Sequence, residues 1–221
     1  MDIKLNYTKS GTGPAMILLH GNGENLGYFY YQIPFFSENY TVYALDTRGH
    51  GKSPRGEGEF TIERFAEDLR EFMDEQGIEK ATLLGFSDGG NIALTFALRY
   101  PERVEKLILN GANLYPAGVE RSVQYKIEKA YFRRKHTEDG EMLALMVNEP
   151  NTDPLRLREL TMPVLVIAGT RDMILDSHTR LIHRSLPNAR LRIIEGDHFI
   201  AANSHEEFNR EVQDFLTSEG R

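Results

Sequence analysis

The amino-acid sequence predicts an α/β protein: a mostly parallel sheet with helices on both faces. Three observations carry this expectation. Short apolar, β-prone runs recur at residues 3–7, 15–19, 41–45, 81–84, 104–109, 164–168 and 191–194. Several of them are continuously apolar instead of alternating, as strands covered on both faces are. Stretches with helical periodicity separate them, and strands that alternate with helices assemble into parallel sheets.

Taken in order, residues 3–7, 15–19 and 41–45 supply the first strands. Ile62, Phe65, Ala66, Leu69, Phe72 and Met73 then recur at three- and four-residue spacing, which gives a helix one apolar face. Residues 81–84 run through Gly85-Phe86-Ser87-Asp88-Gly89-Gly90 into the helical pattern of 91–98, and 104–109 form a further strand. The rhythm then breaks: residues 113–161 hold no convincing strand but two helix-like stretches, 119–136 and 138–147, followed by Pro150 and Pro154. An excursion of that length between two buried strands reads as an insertion over one end of the sheet. The expected division is a core of residues 1–112 and 162–221 with a small helical lid at 113–161. The core resumes with the strand at 164–168, a helix through Leu181 and Ile182 with Asp176 as its expected cap, and the strand at 191–194. The last helix presents Phe208, Val212, Phe215 and Leu216 on one face, and Ser204 with Glu207 spells a capping box at its start.

Composition narrows the function. A chain of 221 residues with 40% hydrophobic content suffices for one large domain with a substantial core. The net charge of −7 argues against nucleic acid as partner, since such binding draws its affinity from neutralised phosphates. The short run Arg133-Arg134-Lys135, beside Glu138, Asp139 and Glu141, reads as a solvated helix end. The absence of cysteine excludes disulfides, thiolate catalysis and zinc–cysteine sites. With no signal-peptide core near the N-terminus and no apolar run of membrane-spanning length, the expectation is a soluble cytoplasmic protein with no membrane partner.

Ligand sites in open parallel sheets form at the carboxyl ends of strands. Four such places carry polar groups: His20-Gly21-Asn22-Gly23, the turn around Ser87, Gly169-Thr170-Arg171-Asp172, and Glu195-Gly196-Asp197-His198. A serine on so sharp a strand-to-helix turn has its hydroxyl pushed out of the backbone, and glycines two residues either side leave room for the bend. Serine needs a base to lose its proton, and the base needs a third group to fix its tautomer. Ser87, His198 and Asp172 can supply these roles, with Asp176 a nearby competitor for the acid. His20, His50, His178, His183 and His205 read as structural or exposed, and no pair of them has zinc-site spacing with a third ligand. Two nucleotide-binding patterns fail on inspection. The near-fingerprint that starts at Gly21 ends on the bulky Leu26, and Gly51-Lys52-Ser53 has Asp46 where a phosphate loop needs its first glycine.

These motifs, in this order, resemble those of the α/β-hydrolase superfamily. The likeness runs from His20-Gly21 through Asp46-Thr47-Arg48-Gly49-His50-Gly51-Lys52-Ser53, the turn at Ser87 and the segment from Pro163 to Asp172, to Gly196-Asp197-His198-Phe199. It implies the α/β-hydrolase fold, a triad of Ser87, Asp172 and His198, and an oxyanion hole made by the backbone N–H groups of Asn22 and Asp88. It implies hydrolysis of small-molecule carboxylic esters through an acyl-enzyme, with no cofactor and no metal. A second reading puts the same triad to work on carbon–carbon or thioester bonds, or on acyl transfer. A third is a ligand-binding signalling protein that retains the triad. Gly85-Phe86-Ser87-Asp88-Gly89-Gly90 is similar to the branch that includes biphenyl-hydrolase-like proteins and valacyclovir hydrolase, which implies that the Asp88 carboxylate binds a substrate ammonium. The alternative is that this side chain turns away and only its N–H matters.

Overall fold

A computed structural model describes residues 2–218. Seven strands, β1 (Tyr7–Ser10), β2 (Ala15–Leu19), β3 (Thr41–Leu45), β4 (Ala81–Phe86), β5 (Val104–Asn110), β6 (Val164–Gly169) and β7 (Ala189–Ile194), form one sheet in the order β1-β3-β2-β4-β5-β6-β7. Only β1 runs antiparallel, against β3; every other pairing in this sheet is parallel. The order reverses between β2 and β4, and residues that follow those two strands therefore meet in the crevice beyond their carboxyl ends.

Alternation along the strands builds two apolar layers. Ile17, Leu19, Tyr43, Leu45, Leu83, Leu107 and Val166 face α2 (Ile62–Glu75), α3 (Asp88–Arg99) and Ile182 of α6 (Asp176–Ser185). Met16, Leu18, Val42, Leu84, Ile108 and Leu165 face Phe36 of α1 (Gln32–Phe36), α7 (Ile200–Asn203) and α8 (His205–Thr217). The face expected of α2 is the one it buries, from Ile62 to Met73. Between β5 and β6 lie α4 (Arg121–Arg134) and α5 (Glu138–Asn148), packed mainly on one another. The base of this excursion is laced to the turn after β6: Glu120 N–H donates to the Met173 carbonyl at 2.7 Å, and Leu175 N–H to the Gly118 carbonyl at 2.9 Å.

Three local expectations are corrected. The first strand begins at Tyr7 instead of residue 3, although Ile3 and Leu5 are buried. Side chains, not a ladder, pin that segment: Asn6 donates its N–H to Ser53 Oγ and its Nδ2 to Asp46 Oδ2, both at 2.8 Å. Ser204 precedes α8, but its hydroxyl donates to the Glu195 carbonyl at 2.8 Å and makes no cap bond. Asp176 is the first residue of α6 instead of its cap, and its carboxylate accepts from Arg180 Nε at 2.8 Å. It still lies where the helix macrodipole favours an acid.

Candidate active site

Ser87 joins β4 to α3 with φ 53° and ψ −120°, and it is the only non-glycine residue with positive φ among the described residues. Such a conformation persists only where its surroundings over-determine it. Here its N–H donates to the Asn110 carbonyl at 2.8 Å, and its carbonyl accepts from Gly90 N–H at 2.8 Å and Asn91 N–H at 3.1 Å. The flanking glycines are needed for close approach: a Cβ on Gly85 would fall 2.2 Å from the Gly89 carbonyl oxygen, and one on Gly89 only 2.0 Å from that of Leu19.

The structure brings Ser87, His198 and Asp172 into one row from three different strand ends. His198 Nε2 lies 3.1 Å from Ser87 Oγ, and its Nδ1 lies 2.6 Å from Asp172 Oδ1. Against a carboxylate acceptor Nδ1 must carry the proton, which leaves the Nε2 lone pair facing the serine. Asp172 Oδ1 also accepts the Ile174 N–H at 2.9 Å. Gly111, at φ +61°, makes room for the imidazole, since a Cβ there would sit 2.7 Å from His198 Cε1. The Phe86 and Phe199 rings pack around the imidazole, at centroid distances of 4.8 and 5.5 Å. Asp176, the competing acid, lies on the exposed start of α6, paired with Arg180. Three of the other histidines flagged in the sequence bond to the frame: Leu114 N–H donates to His178 Nε2 at 2.9 Å, His50 Nδ1 lies 2.9 Å from the Arg48 carbonyl, and Thr47 N–H donates to His20 Nε2 at 3.0 Å.

The loop after β2 closes the other side. His20 bridges Thr47 and the Gly21 carbonyl, 2.7 Å from its Nδ1, and so fixes the Gly21–Asn22 peptide beside Ser87. Burial pushes the His20 imidazole down to about 4, so it stays neutral at physiological pH. A Cβ on Gly21 would lie 3.2 Å from Ser87 Cβ, so this loop runs directly against the serine. Asp88 is the first residue of α3, where backbone N–H groups have no partner within the helix. Its carboxylate is buried and accepts from Asn22 Nδ2 at 2.9 Å and Asn91 Nδ2 at 3.2 Å. Burial raises its pKa, while those two amide donors pull it back down.

Four residues that the sequence did not single out also shape the site: Glu24, Tyr28, Asn91 and Asn113. Glu24 accepts the Gly21 N–H at 3.2 Å, and burial pushes its carboxyl up to about 7 although that N–H and the nearby His198 oppose the shift. The Tyr28 ring stacks on Phe86 at 4.3 Å. Among the described residues no three His, Asp or Glu side chains come together as a metal-ligand set.

The family model for the alpha/beta hydrolase fold matches residues 14–138, more than half of the chain. The chain belongs to the α/β-hydrolase family. Among its curated relatives, the human serine hydrolase BPHL is 28% identical over 97% of this chain and 83% of that protein. 3-Oxoadipate enol-lactonase 2 of Acinetobacter baylyi is 25% identical over 96% of this chain and 92% of its own. A 2-hydroxy-6-oxo-6-phenylhexa-2,4-dienoate hydrolase of Comamonas testosteroni is 35% identical over 70% of this chain and 52% of that enzyme. The crystal structure of the enol-lactonase from Burkholderia xenovorans shares this α/β-hydrolase fold with a TM-score of 0.84, at 23% identity, over 98% of this chain and 97% of that one. This member of the family, like those relatives, is a hydrolase, and no helix among its described residues is long and apolar enough to cross a membrane.

Proposed function

We propose that the protein cleaves small carboxylic esters through an acyl-enzyme on Ser87, and the observation that carries this is the 3.1 Å approach of His198 Nε2 to Ser87 Oγ. In this reading Ser87 Oγ attacks the ester carbonyl as its proton passes to His198 Nε2, and Asp172 holds the resulting imidazolium. The tetrahedral oxyanion is held by the N–H groups of Asn22 and Asp88. The ester C–O bond then breaks, and the leaving alcohol takes the proton from His198. Water repeats the sequence on the acyl-serine, giving its proton to His198, and releases the acid with Ser87 restored. Residues 113–161 act as the lid. The relative named an enol-lactonase supports an ester substrate, because a lactone is an internal ester.

The 35% identity with the Comamonas testosteroni enzyme favours carbon–carbon cleavage as a second reading. A panel of p-nitrophenyl esters, lactones and a vinylogous 1,5-diketone separates the two, and steady turnover of the esters is expected. A single stoichiometric burst without turnover would instead mean a receptor that keeps its triad. Ser87→Ala is expected to lower kcat by about 10³-fold or more and to abolish fluorophosphonate labelling with the fold intact. Undiminished turnover in that variant would place the nucleophile elsewhere.

A further inference from the structure

Asn22 and Asp88 lie 66 positions apart in the chain, yet their side chains are joined directly by the 2.9 Å bond from Asn22 Nδ2 to Asp88 Oδ2. The same Asn22 amide donates to the Met142 carbonyl of α5 at 2.8 Å. Both partners are acceptors, which settles the orientation of the amide and uses both of its hydrogens. The second carboxylate oxygen of Asp88 accepts from Asn91 Nδ2, which also donates to Asn113 Oδ1 at 3.0 Å. Asn113 N–H returns a bond to Asn91 Oδ1 at 2.9 Å, and Asn113 Nδ2 donates to the Tyr115 carbonyl at 3.1 Å. The network therefore ties the loop after β2 to α3, to the segment after β5 and to α5.

We propose that Asp88 is a positioning residue: its carboxylate braces Asn22, so that the two residues whose backbone N–H groups hold the oxyanion are locked to one another and to α5. This rests on the reading of those two N–H groups as the oxyanion donors. The donors follow two paired strands, β2 and β4, whose ladder ends at Leu19 and Gly85, short of both turns. Beyond it His20 holds the Gly21 carbonyl on one side, and the Asn22–Asp88 bridge ties the loop to α3 on the other. Preorganised donors stabilise a developing oxyanion without reorganising, and small displacements of such groups are costly. A carboxylate suits the junction because two amide N–H donors, from Asn22 and Asn91, converge on it. An asparagine there could accept from one and would turn its own NH2 toward the other.

The test is steady-state kinetics of Asp88→Asn and Asn22→Ala, both of which keep the backbone N–H groups. Each variant is assayed on a neutral ester and on an α-amino ester of equal size. Each is expected to lower kcat by about 10- to 100-fold with KM changed less than about threefold, equally for both esters. Affinity for an alkyl boronic acid, whose tetrahedral adduct uses the same donors, falls in step with kcat. The double variant Asn22→Ala/Asp88→Asn is expected to lose no more than the worse single, as members of one unit do. Wild-type kcat in both single variants would overturn the brace. A loss confined to the α-amino ester and expressed in KM would overturn it too, and would make Asp88 an ammonium-binding group. Asn22 is on a partly exposed loop, so Asn22→Ala decides the matter if Asp88→Asn fails to fold. Ser87→Ala run in parallel tells failure of the brace from failure of the ester-hydrolase reading: turnover that survives it removes the reading itself.

Discussion

Asp172 and Asp176 are four positions apart and chemically identical, and their surroundings set them apart. Asp172 is nearly excluded from solvent and meets His198 Nδ1 at 2.6 Å, whereas Asp176 is largely exposed and shares its charge with Arg180. Replacing Asp172 by Asn leaves an amide that can donate to Nδ1 and so stabilise the wrong tautomer. Asp172→Asn is therefore expected to cost about 10⁴-fold in kcat at neutral pH, and Asp176→Asn less than about tenfold. Steady-state rates of the two variants check the ranking, and a larger loss at Asp176 would reverse it. Ser87, Asp172 and His198 were legible in the sequence because each follows an apolar strand in a short turn, a strictly local signal. Glu24, Tyr28, Asn91 and Asn113 were not. Asn91 and Asn113 act through bonds that join residues 22 apart, and no local pattern marks either end.

The turn after β3 shows why a motif can be recognisable without being chemical. Asp46 Oδ1 accepts the Leu26 N–H and Oδ2 the Lys52 N–H, both at 2.8 Å, so one carboxylate ties the loop after β2 to the loop after β3. Arg48 is fully buried and makes a two-pronged pair with Asp68 of α2, 2.7 Å on each arm, plus a contact to Asp2 at 2.6 Å. The Asp46-Thr47-Arg48-Gly49 turn is thus a clamp between a strand end and a helix. The sequence could identify the motif but not its partner, because Asp68 sits inside a helical pattern where an acid ordinarily marks the solvent face. Removing one member of a buried pair strands the other charge, at a cost of about 3–5 kcal/mol. Arg48→Met is expected to lower the thermal midpoint by roughly 6–20 °C for a chain of this size while leaving kcat per folded molecule within about threefold. Calorimetry with active-site titration measures both quantities, and a melt at the wild-type temperature would show that the pair contributes nothing net.

Strand order belongs to the whole chain and was not legible from any part of it. The apolar runs predicted parallel strands, but that β4 lies beside β2 with β3 on the other side follows only from how the layers close. That closure buries histidines beyond the one at the active site, and burial lowers the proton affinity of His20, to about 4, and of His50 and His178 in the same direction. The sign of the linkage follows from the proton count. Below pH 6.5 the unfolded chain takes up a proton on each histidine that the native chain resists. Stability from these groups is therefore complete above pH 6.5 and is lost as the pH falls below it, in the case of His20 down to about 4. Glu24, pushed up to about 7, works in the opposite sense: its charging costs native stability as the pH rises from 4.5. Glu24 is partly exposed, so solvent screening shrinks its share. A shift of the size seen at His20, from 6.5 to about 4, corresponds to about 3 kcal/mol. His20→Gln removes that titration, so its stability is expected to be lower than wild type at pH 7.5, where the loop loses its bridge to Thr47, yet to fall about 3 kcal/mol less between pH 7 and pH 4. Urea titrations of both proteins across that range isolate the difference in slope from the loss of the bridge. Parallel curves for the two proteins would mean that His20 takes up its proton in the native state as readily as in the unfolded one.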